Sequence, residues 1–131
     1  MNAPFVMDSS AMIAIAYEEK RGRTVWKTIR ANIGSCHIHS VNAYEVAAKL
    51  MSSGASLVDA WKAATAGGVR LMDTISLDMS LRAVTLKQTY SDLSLADCHC
   101  LAFAEDIGGS LLTTDPYLAD ASKIVEAIHL E

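Results

Sequence analysis

The stretch Phe5-Val-Met-Asp-Ser-Ser10 passes from an apolar run, through one acidic residue, directly into the start of a helix. Comparable boundaries are Ser40-Val-Asn-Ala-Tyr-Glu45, Leu93-Ser-Leu-Ala-Asp97 and Leu111-Leu-Thr-Thr-Asp115. Strands that alternate with helices form a parallel sheet covered on both faces, and the carboxyl ends of its strands share one edge where ligands bind. The sequence therefore predicts an α/β fold in which four acids converge at one edge of the sheet: Asp8, Glu45, Asp97 and Asp115.

Converging carboxylates repel one another unless a positive charge lies between them, and hard cations such as Mg²⁺ and Mn²⁺ prefer oxygen ligands. Neighbouring hydroxyl and amide groups can orient such ligands, and here they are Ser9, Ser10, Asn42 and Thr113. We therefore predict a metal-dependent phosphodiesterase that uses metal-activated water. Without metal, like-charge repulsion is expected to raise at least one carboxyl pKa.

Each acid also has a purely structural interpretation. Asp8 is placed to cap the following helix, Asp97 to complete a capping box, and Asp115 to cap a helix that begins with proline. Glu45 can be an ordinary helix residue that faces water. The alternative function, a non-catalytic α/β binding module whose acids are helix caps, therefore stays open.

Two observations favour the metal site over the caps. Ser40 and Ser94 already supply cap side chains for two of the helices. Glu45 and Asp97 are flanked by apolar residues, which is unusual for carboxylates that only face solvent.

Hydrophobic periodicity predicts the succession of elements. The predicted strands cover residues 4–7, 36–39, 69–75, 111–113 and 124–130. The predicted helices cover 9–19, 24–33, 40–51, 56–66, a segment from Asp78 or Ser80, 94–107 and 116–121. Gly22 is expected to separate the first two helices. The residues expected to face the core are Val25, Trp26, Ile29 and Ile33 on the second helix, Val41, Tyr44, Ala48, Leu50 and Met51 on the third, and Leu81, Val84 and Leu86 on the fifth.

The composition predicts one domain over residues 1–131, since domains commonly have about 100–150 residues. Half of the residues are hydrophobic, which is enough for a core without metal or disulfide staples. No apolar run approaches the about 20 residues of a membrane helix, and no signal peptide is visible. We expect a cytoplasmic protein that does not bind or span a membrane. The net charge of −4 argues against coating nucleic acid through bulk electrostatics, but not against metal-assisted binding of one phosphate.

The three cysteines do not indicate a disulfide framework, because their number is odd. Histidines adjoin them, so a structural zinc site is one alternative: Cys36, His37, His39, Cys98, His99 and Cys100. A Cys-x-Cys pair on a helix points its side chains about 200° apart, which is poor chelating geometry. Buried free thiols in a reducing compartment are therefore favoured. The histidines are interpreted as packing or surface residues.

At the acidic boundaries the chain resembles the PIN-domain nucleases, in particular VapC toxins of bacterial and archaeal toxin–antitoxin pairs. The matching segments are Val6-Met-Asp8-Ser-Ser-Ala, Ser40-Val-Asn-Ala-Tyr-Glu45-Val, Leu93-Ser-Leu-Ala-Asp97-Cys-His-Cys-Leu-Ala and Leu112-Thr-Thr-Asp115. Their order and spacing span nearly the whole chain. Two departures stand out: Pro116 replaces the basic residue that many relatives carry after the last acid, and Asp92 replaces a frequent glycine.

The resemblance implies a five-stranded parallel sheet in an α/β/α sandwich. It implies an endoribonuclease dependent on Mg²⁺ or Mn²⁺, with Asp8, Glu45, Asp97 and Asp115 as ligands directly or through water, and Thr113 at the hydroxyl position two before the last acid. It implies an RNA substrate, a homodimer, and a cognate antitoxin that binds it in a heterotetramer or larger assembly. The basic stretch from Lys20 to Arg30 is either a solvated helix face or a contact for the RNA backbone.

Overall fold

The computed structural model describes residues 4–121 and 125–130. Its strands are β1 (Phe5–Met7), β2 (Cys36–His39), β3 (Arg70–Met72), β4 (Ser110–Thr113) and β5 (Ala127–His129). Its helices are α1 (Ser9–Ala16), α2 (Lys20–Ala31), α3 (Ser40–Ser52), α4 (Leu57–Ala64), α5 (Leu77–Thr89), α6 (Leu95–Ile107) and α7 (Pro116–Ala121), with a short 3₁₀ turn at Ala66–Gly68.

The five strands pair in parallel in the order β3-β2-β1-β4-β5. This arrangement confirms the predicted parallel sheet. β1 is the central strand, because the chain crosses first to one side of it and later to the other. Residues that follow β1 and its neighbours therefore emerge near the middle of the carboxyl edge, where such sheets bind ligands.

Helices cover both faces of the sheet, as the α/β/α prediction requires. Neighbouring residues of β1 point to opposite faces, and they belong to different core clusters. Met7 packs with Met12 and Val46 from α1 and α3. Val6 packs with Phe103 and Leu118 from α6 and α7. The short central strand thus anchors both hydrophobic layers.

The predicted break at Gly22 is wrong. The first two helices are separated by Tyr17, Glu18 and Glu19, and Glu18 adopts a left-handed φ of 55°. Gly22 lies inside α2, where an added Cβ would approach the Ala14 carbonyl oxygen to 2.3 Å. The glycine is therefore explained by the close approach of α2 to α1. The predicted first helix, 9–19, accordingly ends early, at Ala16.

The second helix also differs from its prediction of 24–33. It begins earlier, at Lys20, and ends at Ala31. Val25 and Ile29 are buried as predicted, and Trp26 is partly buried against the same core. Ile33 lies in the turn beyond the helix and is 77% exposed, so its predicted core position is wrong.

The buried face of α3 is rotated from the predicted face. The buried positions are Ser40, Asn42, Ala43, Val46, Ala47 and Leu50. Tyr44 and Met51 are exposed instead, together with Ala48. Ser40 is not the cap of this helix: His39 is, and its ring accepts the Val41 amide. Much of the inner face consists of small residues and the Asn42 amide. The prediction failed because it assigned the large apolar residues Tyr44 and Met51 to that face.

The buried face of α5 was also predicted wrongly. The helix is capped by Ser76, before either predicted start, and it buries Met79 and Ala83. Leu81 is 58% exposed and Val84 is 52% exposed. Leu86 is partly buried against the second core cluster.

The last third of the chain follows its prediction more closely. Helix α6 begins after the Ser94 cap and ends at Gly108, whose φ is 62°. Helix α7 matches the predicted 116–121. β3 and β5 are shorter than predicted, and residue 124 of the predicted last strand lies outside the described residues. No helix within the described residues is long and apolar enough to cross a membrane.

Candidate active site

Asp8 lies directly after the central strand and is buried, with 2% of its surface exposed. Its amide donates to the Leu112 carbonyl of β4 at 3.3 Å, which continues the sheet pairing by one residue. Its carboxylate caps α1 by accepting the Ala11 amide at 2.9 Å. The predicted cap is therefore present, and it holds a buried carboxylate at the end of the sheet.

Two hydroxyl groups complete the surroundings of this carboxylate. Ser10 Oγ lies 2.7 and 2.8 Å from the two Asp8 oxygens, and Thr113 Oγ1 donates to Oδ2. Thr113 Oγ1 also accepts the Asp115 amide at 2.9 Å, and Ser10 Oγ accepts the Thr114 amide at 3.0 Å. The ends of β1 and β4 are thus joined through hydroxyls around Asp8.

Glu45 and Asp97 approach the same region from α3 and α6. Glu45 faces solvent, and one of its oxygens accepts a hydrogen bond from Ser9 Oγ at 3.0 Å. Asp97 completes the predicted capping box: its Oδ2 accepts the Ser94 amide at 3.2 Å, and its own amide donates to Ser94 Oγ at 3.0 Å. Each carboxylate therefore has a donor from its immediate surroundings.

The charge of Asp97 acts on two of the other acids, Asp8 and Glu45. Burial raises the pKa of Asp8 to about 6; the hydrogen bonds of Thr113, Ser10 and Ala11 oppose this, and the charge of Asp97 adds to it. Burial also raises the pKa of Glu45, and Asp97 again contributes in the same direction. The expected rise in a carboxyl pKa is present, but burial is its main cause and like-charge repulsion is secondary.

The pKa of the buried Cys100 thiol is affected by the charges of the same three acids. Its pKa is raised well above the usual value by burial and then by Asp8, Asp97 and Glu45. All three carboxylates therefore lie near enough to this one thiol to raise its pKa. Asp115 is not among the acids that raise this pKa.

Asp115 differs from the other three acids. It is partly exposed, and its Oδ1 caps α7 by accepting the Tyr117 amide at 2.9 Å. Its link to the group runs through its backbone, which donates to Thr113. The structure thus brings Asp8, Glu45 and Asp97 into one electrostatic group and joins Asp115 to it indirectly.

The remaining polar residues of the prediction lie within this network. Ser9 contacts Glu45, and Ser10 and Thr113 contact Asp8. Asn42 is fully buried on α3, and its amide donates to the Ala96 carbonyl of α6 at 3.3 Å. It joins the helices that carry Glu45 and Asp97.

Sequence reasoning did not identify two further residues that shape the site. His39 is fully buried and caps α3 through Nδ1, and burial lowers its pKa, which favours the neutral ring that can accept a hydrogen bond. Lys87 Nζ donates to the Ser91 carbonyl at 2.6 Å and to the Leu93 carbonyl. It binds the turn ahead of the Ser94 cap. Both contacts are made within a few residues of the chain, but histidine and lysine are not among the residues usually preferred as helix caps, so they were not recognised.

The donor set suits a hard divalent cation, because carboxylate oxygens are its preferred ligands. Among residues 4–121 and 125–130, however, no three side chains of His, Cys, Asp or Glu lie close enough together to hold a metal ion as they stand. Glu45 and Asp97 bond instead to Ser9 and Ser94. Shared coordination would require these two side chains to leave their present donors.

Among the residues that the structure describes, no basic side chain forms an ion pair with Asp8, Glu45 or Asp97. Within the described parts of the chain, ion pairs are formed only by Arg21, with Glu19, and by Arg82, with Asp78, Glu105 and Asp106. Asp8, Glu45 and Asp97 therefore have hydroxyl and amide partners but no cation in contact. This excess of negative charge is what a bound cation would compensate.

The three cysteines are free thiols buried in the two cores. Cys36 belongs to the cluster that contains Met7, whereas Cys98 and Cys100 belong to the cluster that contains Val6. They therefore lie on opposite faces of the sheet. This placement agrees with their interpretation as packing residues.

The basic stretch forms much of α2. Arg23, Lys27 and Arg30 line a surface groove of about 730 Å³ together with Ile15 and Trp26.

Comparisons with solved structures show the same fold. A protein from Pyrobaculum aerophilum matches with a TM-score of 0.68 at 18% identity, covering 95% of this chain and 89% of its own. DNA-bound VapBC from Salmonella typhimurium matches with a TM-score of 0.68 at 10% identity, covering 98% of each chain. FitAcB from Neisseria gonorrhoeae matches with a TM-score of 0.64 at 13% identity, covering 95% of this chain and 96% of its own. At these identities the likeness establishes the fold alone.

The sequence comparison establishes the family. No curated protein matches the chain by sequence. The profile of the PIN domain, in contrast, matches residues 5–124, which include every acid of the candidate site. The resemblance predicted from the four motifs is therefore confirmed: the chain belongs to the PIN domain family.

Proposed function

We propose that this protein is an endoribonuclease dependent on Mg²⁺ or Mn²⁺ and that it acts as the toxin of a toxin–antitoxin pair. The observation that carries the proposal is the buried Asp8 carboxylate at the end of the central strand, which shares its surroundings with Asp97 and has no cation in contact within the described residues. Membership of the PIN family supports the nuclease, since PIN domains are generally nucleases.

In this proposal the metal is held by Asp8, Glu45, Asp97 and Asp115, directly or through water. Ser9, Ser10 and Thr113 orient these ligands through the hydrogen bonds described above. A divalent cation, when bound, supplies positive charge that polarises the scissile phosphodiester and lowers the pKa of nearby water.

The chain's own residues prepare the site for that charge. Thr113 and Ser10 donate to the Asp8 carboxylate and favour its ionised form, against the burial that favours protonation. Ser9 performs the same role for Glu45. His39 and Ser94 fix the first turns of α3 and α6, and with them the backbones of Glu45 and Asp97. The histidines are not required as general bases.

The proposed toxin role rests on the VapC-like motifs and is supported by a fold shared with VapBC and FitAcB. A groove of about 690 Å³ between α3 and α4 offers an apolar surface to a partner such as an antitoxin. It is lined by Tyr44, Met51, Leu57, Val58 and Trp61, among others. We also propose a single nuclease domain that works in the cytoplasm as a homodimer, and as a heterotetramer or larger assembly with its antitoxin.

The test is cleavage of total cellular RNA by purified protein in Mg²⁺, in Mn²⁺ and in EDTA. The matched variants are Asp8→Asn, at the buried carboxylate, and Asp59→Asn, at an exposed aspartate on α4. We expect metal-dependent cutting by the wild type and by Asp59→Asn, and none by Asp8→Asn. Cutting that persists in EDTA or in folded Asp8→Asn would refute the proposal, and the mapped fragments would name the RNA.

The second candidate is the non-catalytic binding module. It is favoured by the cap bonds that Asp8, Asp97 and Asp115 accept. It predicts that the chain has no affinity for Mn²⁺ and that neutralising an acid lowers stability. The nuclease predicts measurable Mn²⁺ affinity and, for Asp8, a gain in stability without metal.

A further inference from the structure

Asn42 is a buried polar residue whose hydrogen bonds are incomplete. The residue is 0% exposed, yet within the described residues its Oδ1 has no hydrogen-bond partner. Its Nδ2 donates to the Ala96 carbonyl at a long 3.3 Å. A buried acceptor without a partner costs about 1–3 kcal/mol.

The bond to Ala96 does not explain why an asparagine occupies this position. Ala96 lies in the first turn of α6, where its carbonyl can already accept the amide four residues later. One long bond to such a carbonyl contributes about 1 kcal/mol, which the unsatisfied oxygen offsets. An apolar side chain would serve the packing of α3 against α6 at least as well.

The position of Asn42 points to the acids instead. It lies three residues before Glu45 on α3, so the two side chains are neighbours on the helix surface. Its bond partner, Ala96, directly precedes Asp97.

We infer that Asn42 is a positioning residue for the metal site, an inference that rests on the proposed function. Its amide group fixes Glu45 relative to Asp97 by joining the helices that carry them. The residue thus sets metal affinity while contributing little to stability.

The test measures Mn²⁺ affinity by electron paramagnetic resonance, together with the free energy of unfolding in EDTA. Asn42→Ala removes the amide, whereas Asn42→Thr keeps a similar volume and can bond to its own helix. Asn32→Ala is the matched control, because Asn32 donates to a helical carbonyl, that of Thr28, at 2.8 Å, at the end of α2. Its loss tests the same kind of bond at a partly buried position that has no acidic residue within four positions in the sequence.

We expect both Asn42 variants to bind Mn²⁺ about 10-fold more weakly than the wild type, the lower end of the range for residues that orient metal ligands. Their stability in EDTA should change no more than that of Asn32→Ala, which should bind Mn²⁺ normally. In cleavage assays, raising the Mn²⁺ concentration should restore the rate of the Asn42 variants with KM for RNA unchanged.

Two results would overturn the inference, and they are distinguishable from failure of the proposed function. Unchanged Mn²⁺ affinity in folded Asn42→Ala or Asn42→Thr would refute the positioning role while leaving the nuclease intact. A rate that excess Mn²⁺ does not restore would show that Asn42 does not act through metal affinity. Absence of Mn²⁺ binding by the wild type would overturn the proposed function together with this inference.

Discussion

Asp8 and Asp115 follow adjacent parallel strands and each caps a helix, yet their surroundings differ. Asp8 is almost fully buried, receives bonds from Ser10, Thr113 and Ala11, and has its pKa raised to about 6. Asp115 is partly exposed and caps α7 with one oxygen. The comparison teaches that the same local role, capping a helix, can leave a carboxylate buried with a raised pKa or partly exposed, depending on how the surrounding chain packs.

The largest expected effect is on cleavage, and it separates these two acids. Asp8→Asn should reduce the rate by about 10³-fold, because metal assistance supplies several kcal/mol and each ~1.4 kcal/mol is tenfold. Asp115→Asn should reduce it by about 10- to 100-fold, as expected for an outer ligand. Initial rates on one labelled RNA at saturating Mn²⁺ measure both. Equal reductions of the cleavage rate in the two variants would show that the difference in burial between Asp8 and Asp115 does not affect catalysis.

The second effect is on stability without metal, and its sign follows from the raised pKa of Asp8. The folded protein binds this proton more tightly than the unfolded chain, whose aspartate titrates near 3.8. Stability should therefore be highest below pH 4 as far as Asp8 is concerned, and should fall by about 3 kcal/mol as pH rises from about 4 to 6. Urea unfolding in EDTA across this range measures it.

Asp8→Asn should remove this slope and stabilise the metal-free protein at pH 7, since asparagine is also a good helix cap. Asp115→Asn should leave the slope unchanged. A loss of stability in Asp8→Asn at pH 7 would favour the binding module, in which the carboxylate serves only as a cap.

Much of the fold was predictable because the strands are short apolar runs bounded by polar helix starts. The sheet, α6 with its Ser94 capping box and α7 with its N-terminal proline follow from local chemistry. The faces of α3 and α5 did not follow, because small residues such as Ala43 and Ala83 fill the interior while Leu81 stays exposed. The prediction for Gly22 failed because glycine is found both at helix breaks and where two helices pack closely, and here it allows α2 to pack closely against α1.

At the site, the identity of the acids was predictable but their arrangement was not. Sequence order indicates which elements bring the carboxylates to the sheet edge. It contains no information on burial, which is the main cause of the raised pKa of Asp8. The cap formed by His39 and the turn held by Lys87 are local contacts, but they use residue types that are not standard capping residues.

A third prediction concerns Thr113, which donates to Asp8 and accepts the amide of Asp115. Thr113→Val keeps the shape but removes the hydroxyl, so the ionised Asp8 loses a donor. Stability in EDTA at pH 7 should fall by about 1.5–3 kcal/mol, the range for hydrogen bonds to charged groups. Below pH 4 the loss should be smaller, because Asp8 is then protonated. Thr113→Ser should retain most of the wild-type stability, and an equal loss in both variants would point to packing.

The smallest expected effect tests whether the cap of α6 and the metal site depend on each other. Ser94→Ala and Ser56→Ala each remove a hydroxyl that caps a helix, at Asp97 and Asp59 respectively. Each should cost about 1 kcal/mol of stability in EDTA. Only Ser94→Ala should also weaken Mn²⁺ binding, because Asp97 is then less firmly held near Asp8 and Glu45. If both variants lose stability and neither loses affinity, the Ser94 hydroxyl is a structural cap that contributes nothing to the metal site.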